Sequence, residues 1–368
     1  MTMTSTSPLA ATGLSAATLR RIEALVIPVG ALVASALVFS VFLVALGKAP
    51  LEFFGLIWTG GFGSAFSVQN TLLRAAPLIL TGLAFAIPAR IGLTVIGAEG
   101  ALVLGGFAAA AVAIPLVTGG ITPVIGLPLM ALVAMLTGAV WIGIVGWLRH
   151  YRGVNETIAS LLMSYIAIAT MNFFVEGPLR DPASANKPST MPIGELYRVG
   201  PIPGTTVHWG LAAGLVLAVV LHILMTRTTF GFAARMTGGN VRAAQAQGLP
   251  VGALVVGCCA IAGAAAGLGG FFEVAAVQGQ ANASLVAGYG FTGILVAFLA
   301  RQNALAVVPV AILFGALAAS GGLIQRRMEM PDATILVLQG IIFVVLLTSE
   351  TLYGRLAFLQ PRRSGDRT

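Results

Sequence analysis

The sequence is poor in charge, cysteine and histidine, and each shortage narrows what the chain can be. Only 9% of its 368 residues are charged, whereas soluble chains carry about 25%, so an ordinary soluble domain is excluded. The two cysteines, Cys258 and Cys259, are adjacent within an apolar run, which indicates packing rather than a disulfide. The histidines are His150, His208 and His222, dispersed and without metal-ligand spacing. No metal site is therefore predicted.

A phosphate-binding loop is also missing, since no G-x-x-x-x-G-K-[ST] run occurs in the chain. Lys48 follows a glycine but precedes Ala-Pro, so the hydroxyl that would bind magnesium is absent. Ser, His and Asp show no hydrolase arrangement, and no clustered His, Asp or Cys residues support a membrane-embedded enzyme. We therefore predict that the chain is not an enzyme, carries no cofactor and does not hydrolyse ATP.

Long apolar runs make up most of the chain. Hydrophobic residues account for 58% of it, and the mean hydropathy is +0.97. Runs of this length can cross a hydrocarbon core of about 30 Å as helices. We predict an all-α polytopic membrane protein with about ten transmembrane helices, of which the second and eighth are short. The predicted spans are 24–47, 75–89, 93–117, 123–148, 157–175, 209–225, 251–274, 285–300, 304–324 and 333–349.

Basic residues exceed acidic ones, with a net charge of +8, but they are scattered singly along the loops. This distribution predicts membrane topology rather than nucleic-acid binding. With the N-terminus inside, most Lys and Arg residues fall in cytoplasmic loops, as the positive-inside rule requires. A disordered tail at 1–23 and a basic tail at 351–368 are then cytoplasmic, and 24–350 is the transmembrane domain.

Two polar loops interrupt the spans on opposite sides. Residues 176–208 contain six prolines and are external in this topology. They form either a connecting loop or a platform that receives a substrate-binding protein. Residues 227–250 are basic and cytoplasmic.

The cytoplasmic loop, residues 227–250, contains the start and stop signals of a short helix. Asn240 can cap its start, Gly248 can adopt the left-handed turn after its end, and Pro250 blocks continuation. A helix of about two turns is not stable alone. It needs a partner, and the small residues Ala243 and Ala244 would let one approach closely. The alternative is a solvated loop with a helical turn.

Glu99 is the most informative polar residue inside the predicted spans. A carboxylate there is costly and tends to pair or to line a water-filled path, so Glu99 is a candidate functional residue. Alternatively, it marks a helix that starts later than predicted. Asn155 and Glu156 can cap the fifth span, and Glu156 also suits the positive end of its dipole.

Four runs resemble segments of permease subunits of bacterial ABC importers, in the branch serving simple sugars, nucleosides and branched-chain amino acids. Each run is similar to one family pattern, with departures at Ile91, Ala101, Ser164, Met236, Thr237, Gln247 and Ala304. The runs are residues 92–100, similar to N-I-G-x-E-G-Q; 152–167, similar to G-x-N-E-V-I-x-T-L-M-L-N-Y-I-A; 235–248, similar to R-A-V-G-x-N-x-x-A-A-x-x-A-G; and 300–305, similar to L-G-R-x-N-P-L.

The resemblance implies a multi-pass subunit of the bacterial inner membrane that pairs with an identical or homologous permease. An external binding protein would deliver the substrate, and ATP and Mg would lie on a cytoplasmic ABC ATPase. The ATPase would dock on the coupling loop, at Gly231, Arg235, Gly238, Gly239, Asn240, Ala243, Ala244 and Gly248. The predicted translocation path comprises Glu99, Asn155, Glu156, Ser164 and Tyr165, of which the last two could hydrogen-bond a hydroxylated substrate.

Nucleosides are the predicted substrate, because the 92–100 run is similar to the nucleoside-type permeases. A simple sugar such as ribose is the alternative. A proton-coupled secondary transporter using Glu99 or Glu273 is a further alternative from another class. The motif Glu156-Thr-Ile158 recurs as Asp332-Ala-Thr-Ile335 five spans later, which suggests an inverted repeat.

Overall fold

The computed structural model describes residues 16–184 and 186–351, and these residues form an all-helical protein. Short 3₁₀ segments, Glu195–Tyr197 and Ala283–Leu285, and one π-helical segment, Glu273–Gln278, occur between α-helices. Thirteen α-helices follow one another in the described residues: α1 (Ala16–Ala45), α2 (Pro50–Phe62), α3 (Ala65–Ala89), α4 (Ala98–Thr118), α5 (Pro123–Arg152), α6 (Glu156–Glu176), α7 (Gly210–Arg227), α8 (Thr229–Gly239), α9 (Val241–Ala246), α10 (Val251–Phe272), α11 (Tyr289–Leu299), α12 (Ala304–Met328) and α13 (Ala333–Glu350).

The helices confirm a polytopic membrane protein. Eight of them in the described part are long and apolar enough to cross a membrane, and two shorter apolar stretches accompany them, which agrees with about ten spans. The second span is longer than predicted, because α3 begins at Ala65 behind Ser64, whose Oγ accepts a hydrogen bond from the Ser67 N–H at 3.0 Å. The eighth stays short, with 11 residues in α11.

Three boundaries differ from the sequence prediction. α1 begins at Ala16, so the end of the tail predicted as disordered is helical, while residues 1–15 and 352–368 lie outside the described residues. α2, for which the sequence predicts no span, is an apolar helix of 13 residues and is too short to span a bilayer. Residues 227–250, the predicted coupling loop, contain α8 as well as the predicted short helix, α9.

The described residues divide into two compact units, one within 51–335 and the other formed by 16–50 with 336–351. The smaller unit contains α1, whose exposed side chains include Val33, Leu37 and Val41. Such an apolar exposed surface suits a helix that contacts lipid. All packing described below lies within residues 51–335.

Two helices lie at the centre of the larger unit. α3 has the most buried apolar stretch of the candidate spans and packs on α11 and α12, whereas α10 packs on α4 and α5. α3 belongs to the first half of the chain and packs on helices of the second half. α10 belongs to the second half and packs on helices of the first half. The inverted repeat stays a prediction; spans five apart in the chain would make α3 correspond to α10 and α4 to α11.

Glycines allow α10 to lie directly against α5. The carbonyl oxygen of Gly138 occupies the place where a side chain at Gly263 would begin, so only glycine fits there. Small residues permit such close crossings between membrane helices. Cys258 and Cys259 are fully buried on α10 as free thiols, which agrees with their predicted packing role.

Replacing Gly263 with alanine should destabilise the protein by about 1–3 kcal/mol, because the added methyl group would overlap the Gly138 carbonyl. Gly257→Ala on the same helix is the matched control, since the nearest atom to its new methyl group is Phe230 Cε2 at 3.8 Å. The midpoint of thermal unfolding in detergent measures both. Equal midpoints for the two variants would contradict this packing.

Candidate functional site

The α8–α9 hairpin is capped by its own polar residues. Thr228 caps α8, and Asn240 caps α9, its Oδ1 accepting from the Ala243 N–H at 3.1 Å. Gly248 has φ +77°, and the following N–H of Leu249 donates to the carbonyl of Ala244 at 3.1 Å. This hydrogen bond and the positive φ of Gly248 are those of a Schellman motif at the end of α9. The predicted capping by Asn240 and the left-handed turn at Gly248 are therefore confirmed.

One face of α8 is held against the rest of the larger unit. Gly231 is buried, and the Arg235 guanidinium donates to the Met225 carbonyl. Gly238 faces the backbone that follows α3: a methyl group there would lie 2.7 Å from Arg90 O. The hairpin therefore contacts the connection between α3 and α4 through backbone atoms.

In contrast, α9 is exposed along its length except at Ala244, which is fully buried. Val241 is 47% exposed, Ala243 is also exposed, and a methyl group at Gly239 would meet no atom within 4 Å. α9 has only six residues. Because so short a helix is unstable without tertiary contacts, its caps and Ala244 must hold it in place.

The segment from Leu93 to Gly97, called here the link, joins α3 to α4 without helical structure. Its backbone groups bond to side chains of α6. The Ile96 N–H donates to Ser160 Oγ at 2.8 Å, and the Thr94 carbonyl accepts from Thr157 Oγ1 at 2.9 Å. Non-helical backbone is tolerated within a membrane protein where neighbouring protein groups satisfy it, and α6 has this role here.

Asn155 and Glu156 have different roles at the start of α6. The Asn155 Oδ1 accepts from the N–H groups of Thr157 and Ile158, at 3.0 and 3.1 Å, which confirms the predicted cap. The Glu156 carboxylate instead pairs with Arg149 at 3.2 Å and accepts from the Thr94 N–H at 3.4 Å. Glu156 thus ties the link to the ends of α5 and α6.

Glu99 is fully buried in the first turn of α4. Its two carboxylate oxygens accept from the N–H groups of Gly288 and Gly290, at 2.8 and 2.6 Å, where α11 begins. A carboxylate is well suited to the unpaired N–H groups and positive dipole of a helix start. Because α4 begins at Ala98, the later helix start considered from the sequence is confirmed.

Ser164 and Tyr165 point to different surroundings. Ser164 is buried where α6 crosses α4, and its Cα lies 2.6 Å from where a methyl group at Gly100 would be. The Tyr165 side chain is 60% exposed. The two residues therefore do not converge on one site within the described chain, and their predicted role in translocation stays a prediction.

A cavity of about 530 Å³ lies among the first turns of α3, the π-helical segment, the start of α11 and residues 199–208. Its polar lining consists of Asn70, Arg74, Thr205, Thr206, His208, Glu273 and Tyr289. The five residues predicted for the translocation path are not among those that line it. Two charged residues beside or within apolar runs, Arg74 and Glu273, are the signal in the sequence that could have indicated this region, but only Glu273 was singled out, as a possible proton-coupling residue.

The loop that follows α6 is fixed onto the π-helical segment and α3. The Val199 N–H donates to Ala275 O at 2.8 Å. Gln69 Oε1 accepts from both the backbone N–H and the hydroxyl of Thr206, at 2.9 and 2.7 Å. These bonds hold the loop as one wall of the cavity.

The long apolar helices are those of a multi-pass membrane protein. Residues 67–347 match the family described as the permease component of the branched-chain amino acid transport system, and the chain belongs to this family. Membership confirms the family resemblance of the four sequence runs.

Three curated relatives align over most of the chain. It is 34% identical to the glucose ABC transporter permease protein of Haloferax volcanii, covering 88% of this chain and 87% of the relative. It is 31% identical to the guanosine ABC transporter permease protein NupP of Bacillus subtilis, covering 81% and 86%. A nucleoside ABC transporter permease of Lactococcus lactis, NupB, is 26% identical, covering 87% and 90%. These relatives are permease subunits of ABC transporters.

Glu99→Gln should lower the stability of the protein, because the new amide group would face a glycine N–H and leave one buried donor unsatisfied, at a cost of about 1–3 kcal/mol. Thermal unfolding in detergent measures the loss. Glu176→Gln, at the exposed end of α6, is the control. If both variants unfolded at the wild-type temperature, the Glu99 bonds would not hold α11.

Proposed function

We propose that this permease is the membrane subunit of an ATP-driven, binding-protein-dependent importer of nucleosides. The alignment with a guanosine and a nucleoside permease over more than four fifths of the chain carries this proposal. The 92–100 run, similar to nucleoside-type permeases, also favours it. A simple sugar is the second candidate, favoured by the glucose permease at 34% identity.

ATP is hydrolysed on a separate ABC ATPase that docks on α9. The hairpin is suited to this role because α8 is anchored while α9 presents exposed small and apolar side chains. Gly239 and Ala243 leave room for a partner surface. Arg235 and Gly238 act from the anchored side, where they fix the orientation of the hairpin.

Movement of the docked hairpin reaches the membrane helices through the link. Gly238 packs on the backbone at Arg90 and Ile91, from which the link leads directly to Glu99. Glu99 in turn holds the start of α11. ATPase closure would thus shift α4 and α11 together and change which state of the bundle is favoured.

The proposed orientation follows the positive-inside rule. The termini and the α8–α9 hairpin face the cytoplasm of the bacterial inner membrane, and the loop that follows α6 faces outward, where a binding protein docks. A second permease, identical or homologous, completes the complex. The exposed Tyr165, predicted to lie on the path, then faces the substrate or the second permease, whereas Ser164 is buried against α4.

Uptake in vesicles tests the function directly. Vesicles contain this chain, its candidate ATPase and a candidate binding protein, and each component is omitted in turn while labelled guanosine, uridine, ribose and glucose are offered. We expect uptake that requires all three components and ATP, with guanosine or uridine as the best solute. ATP-independent uptake by this chain alone under a pH gradient would contradict the importer and support the proton-coupled alternative.

Ala243→Trp should abolish ATPase binding and uptake without reducing folded protein, because Ala243 is exposed on α9. Gly239→Trp should do the same. Co-purification with the ATPase and the thermal unfolding midpoint are measured together. Ala65→Trp, at an alanine that is also exposed at the start of α3, serves as the matched control. Wild-type co-purification and uptake in both hairpin variants would rule out docking there.

A further inference from the structure

We propose that the cavity between α3, the π-helical segment and residues 199–208 binds the hydroxyl groups of a neutral sugar ring, either the ribose of a nucleoside or a free sugar. The inference rests on the proposed importer function. It adds a site within a single permease chain and names the part of the substrate that this site recognises.

The cavity has the size and the mixed lining of a small-molecule site. Its volume of about 530 Å³ falls within the roughly 300–1,000 Å³ typical of ligand pockets. Apolar wall residues include Leu73, Val199 and Val277, and polar groups project from several separate segments. Segments far apart in sequence thus line one cavity.

The polar groups suit hydroxyls better than ions. Arg74 and Glu273 line the same cavity, so a guanidinium donor and a carboxyl acceptor are both present. A sugar hydroxyl donates one hydrogen bond and accepts others, and it can therefore use both groups. An anion would meet the carboxyl group of Glu273, and a cation would meet Arg74. Asn70 adds an amide that can donate and accept.

His208 adds a donor that has no partner among the described residues. Its Nδ1 accepts from the Gly210 N–H at 3.0 Å. Burial lowers the pKa of this imidazole, which favours the neutral ring. With Nδ1 accepting, the single proton lies on Nε2, the buried atom without a hydrogen-bond partner in the described chain. Such an orphaned donor is costly unless a ligand or water accepts from it.

The position of Glu273 also indicates a binding site. It begins the π-helical segment that ends α10, and π-helical turns in α-helices are frequent at functional sites. Tyr289, which lines the same cavity, is the first residue of α11 and follows Gly288, whose N–H is bound by Glu99. A ligand in the cavity would therefore contact the helix start that Glu99 holds.

Equilibrium binding of radiolabelled uridine and radiolabelled glucose to the full chain in nanodiscs tests the site. Ribose, uracil, 2′,3′-dideoxyuridine and inorganic phosphate serve as competitors. We expect one of the two labelled solutes to bind. The sugar that corresponds to it, ribose for uridine or unlabelled glucose for glucose, should compete for the site, whereas uracil, dideoxyuridine and phosphate should not compete. Binding of uridine assigns the ribose of a nucleoside, and binding of glucose assigns a free sugar.

Glu273→Gln and His208→Phe should each weaken that binding roughly tenfold or more, because the first replaces one carboxyl oxygen acceptor with an NH2 donor and the second removes the Nε2 donor. Glu52→Gln removes an exposed carboxylate on α2, outside the cavity, and should bind as the wild type does. Thermal unfolding confirms that each variant is folded. Having two cavity variants keeps the test valid if one of them does not fold.

The proposal is overturned if neither solute binds, if uracil, dideoxyuridine or phosphate competes as well as the hydroxylated solute, or if the folded cavity variants bind with wild-type affinity. Binding needs no ATPase, whereas vesicle uptake does. Failure of uptake with intact, hydroxyl-dependent binding would therefore count against the importer and not against the site.

Discussion

The hydrogen bonds between Glu99 and the start of α11 are the contact on which the centre of the protein depends. Two helices of opposite halves, α4 and α11, begin beside each other, and the first N–H groups of α11 have no helical partner. Inside a membrane protein such groups must bond to other protein groups. One carboxylate satisfies two of them, at 2.8 and 2.6 Å, and joins the halves.

This contact connects two surfaces that lie at opposite ends of α7. At one end, Gly238 of the hairpin packs on the backbone at Arg90, and the link runs from there to Glu99. At the other end, Tyr289 and Glu273 line the cavity. The backbone groups of the link bond to Thr157 and Ser160 of α6. A shift of the hairpin can therefore reach the cavity through contiguous contacts.

Local signals allowed α9, the short helix of the hairpin, to be predicted from the sequence. Asn240 and Gly248 act on backbone groups a few residues away, so their roles follow from spacing alone. The partners of Glu99 lie 189 and 191 residues away, and spacing cannot reveal them. The sequence showed that a carboxylate at this position needs a partner, but not that the partner is the start of α11.

The same distinction between local and long-range contacts explains why the cavity and the full length of the second span were not predicted from the sequence. The span was predicted to begin at residue 75, directly after Arg74, but α3 begins at Ala65 and continues through Arg74, which lines the cavity. α2 was missed because 13 apolar residues are too few to indicate a membrane helix. Glu273 was noticed as an intramembrane carboxylate, whereas its neighbours in the cavity come from distant segments.

The central claim is that ATP-driven movement of the hairpin changes access to the cavity. It is tested most directly by labelling Val277→Cys, at a residue that is 50% exposed on the cavity wall, with a membrane-impermeant maleimide in the assembled complex. The native Cys258 and Cys259 are fully buried and give little background. Ala65→Cys, outside the cavity, reports general reagent access. We predict that trapping the ATPase with vanadate changes the labelling rate at residue 277 several-fold and leaves that at residue 65 unchanged. Equal rates at residue 277 with and without trapping would contradict the account.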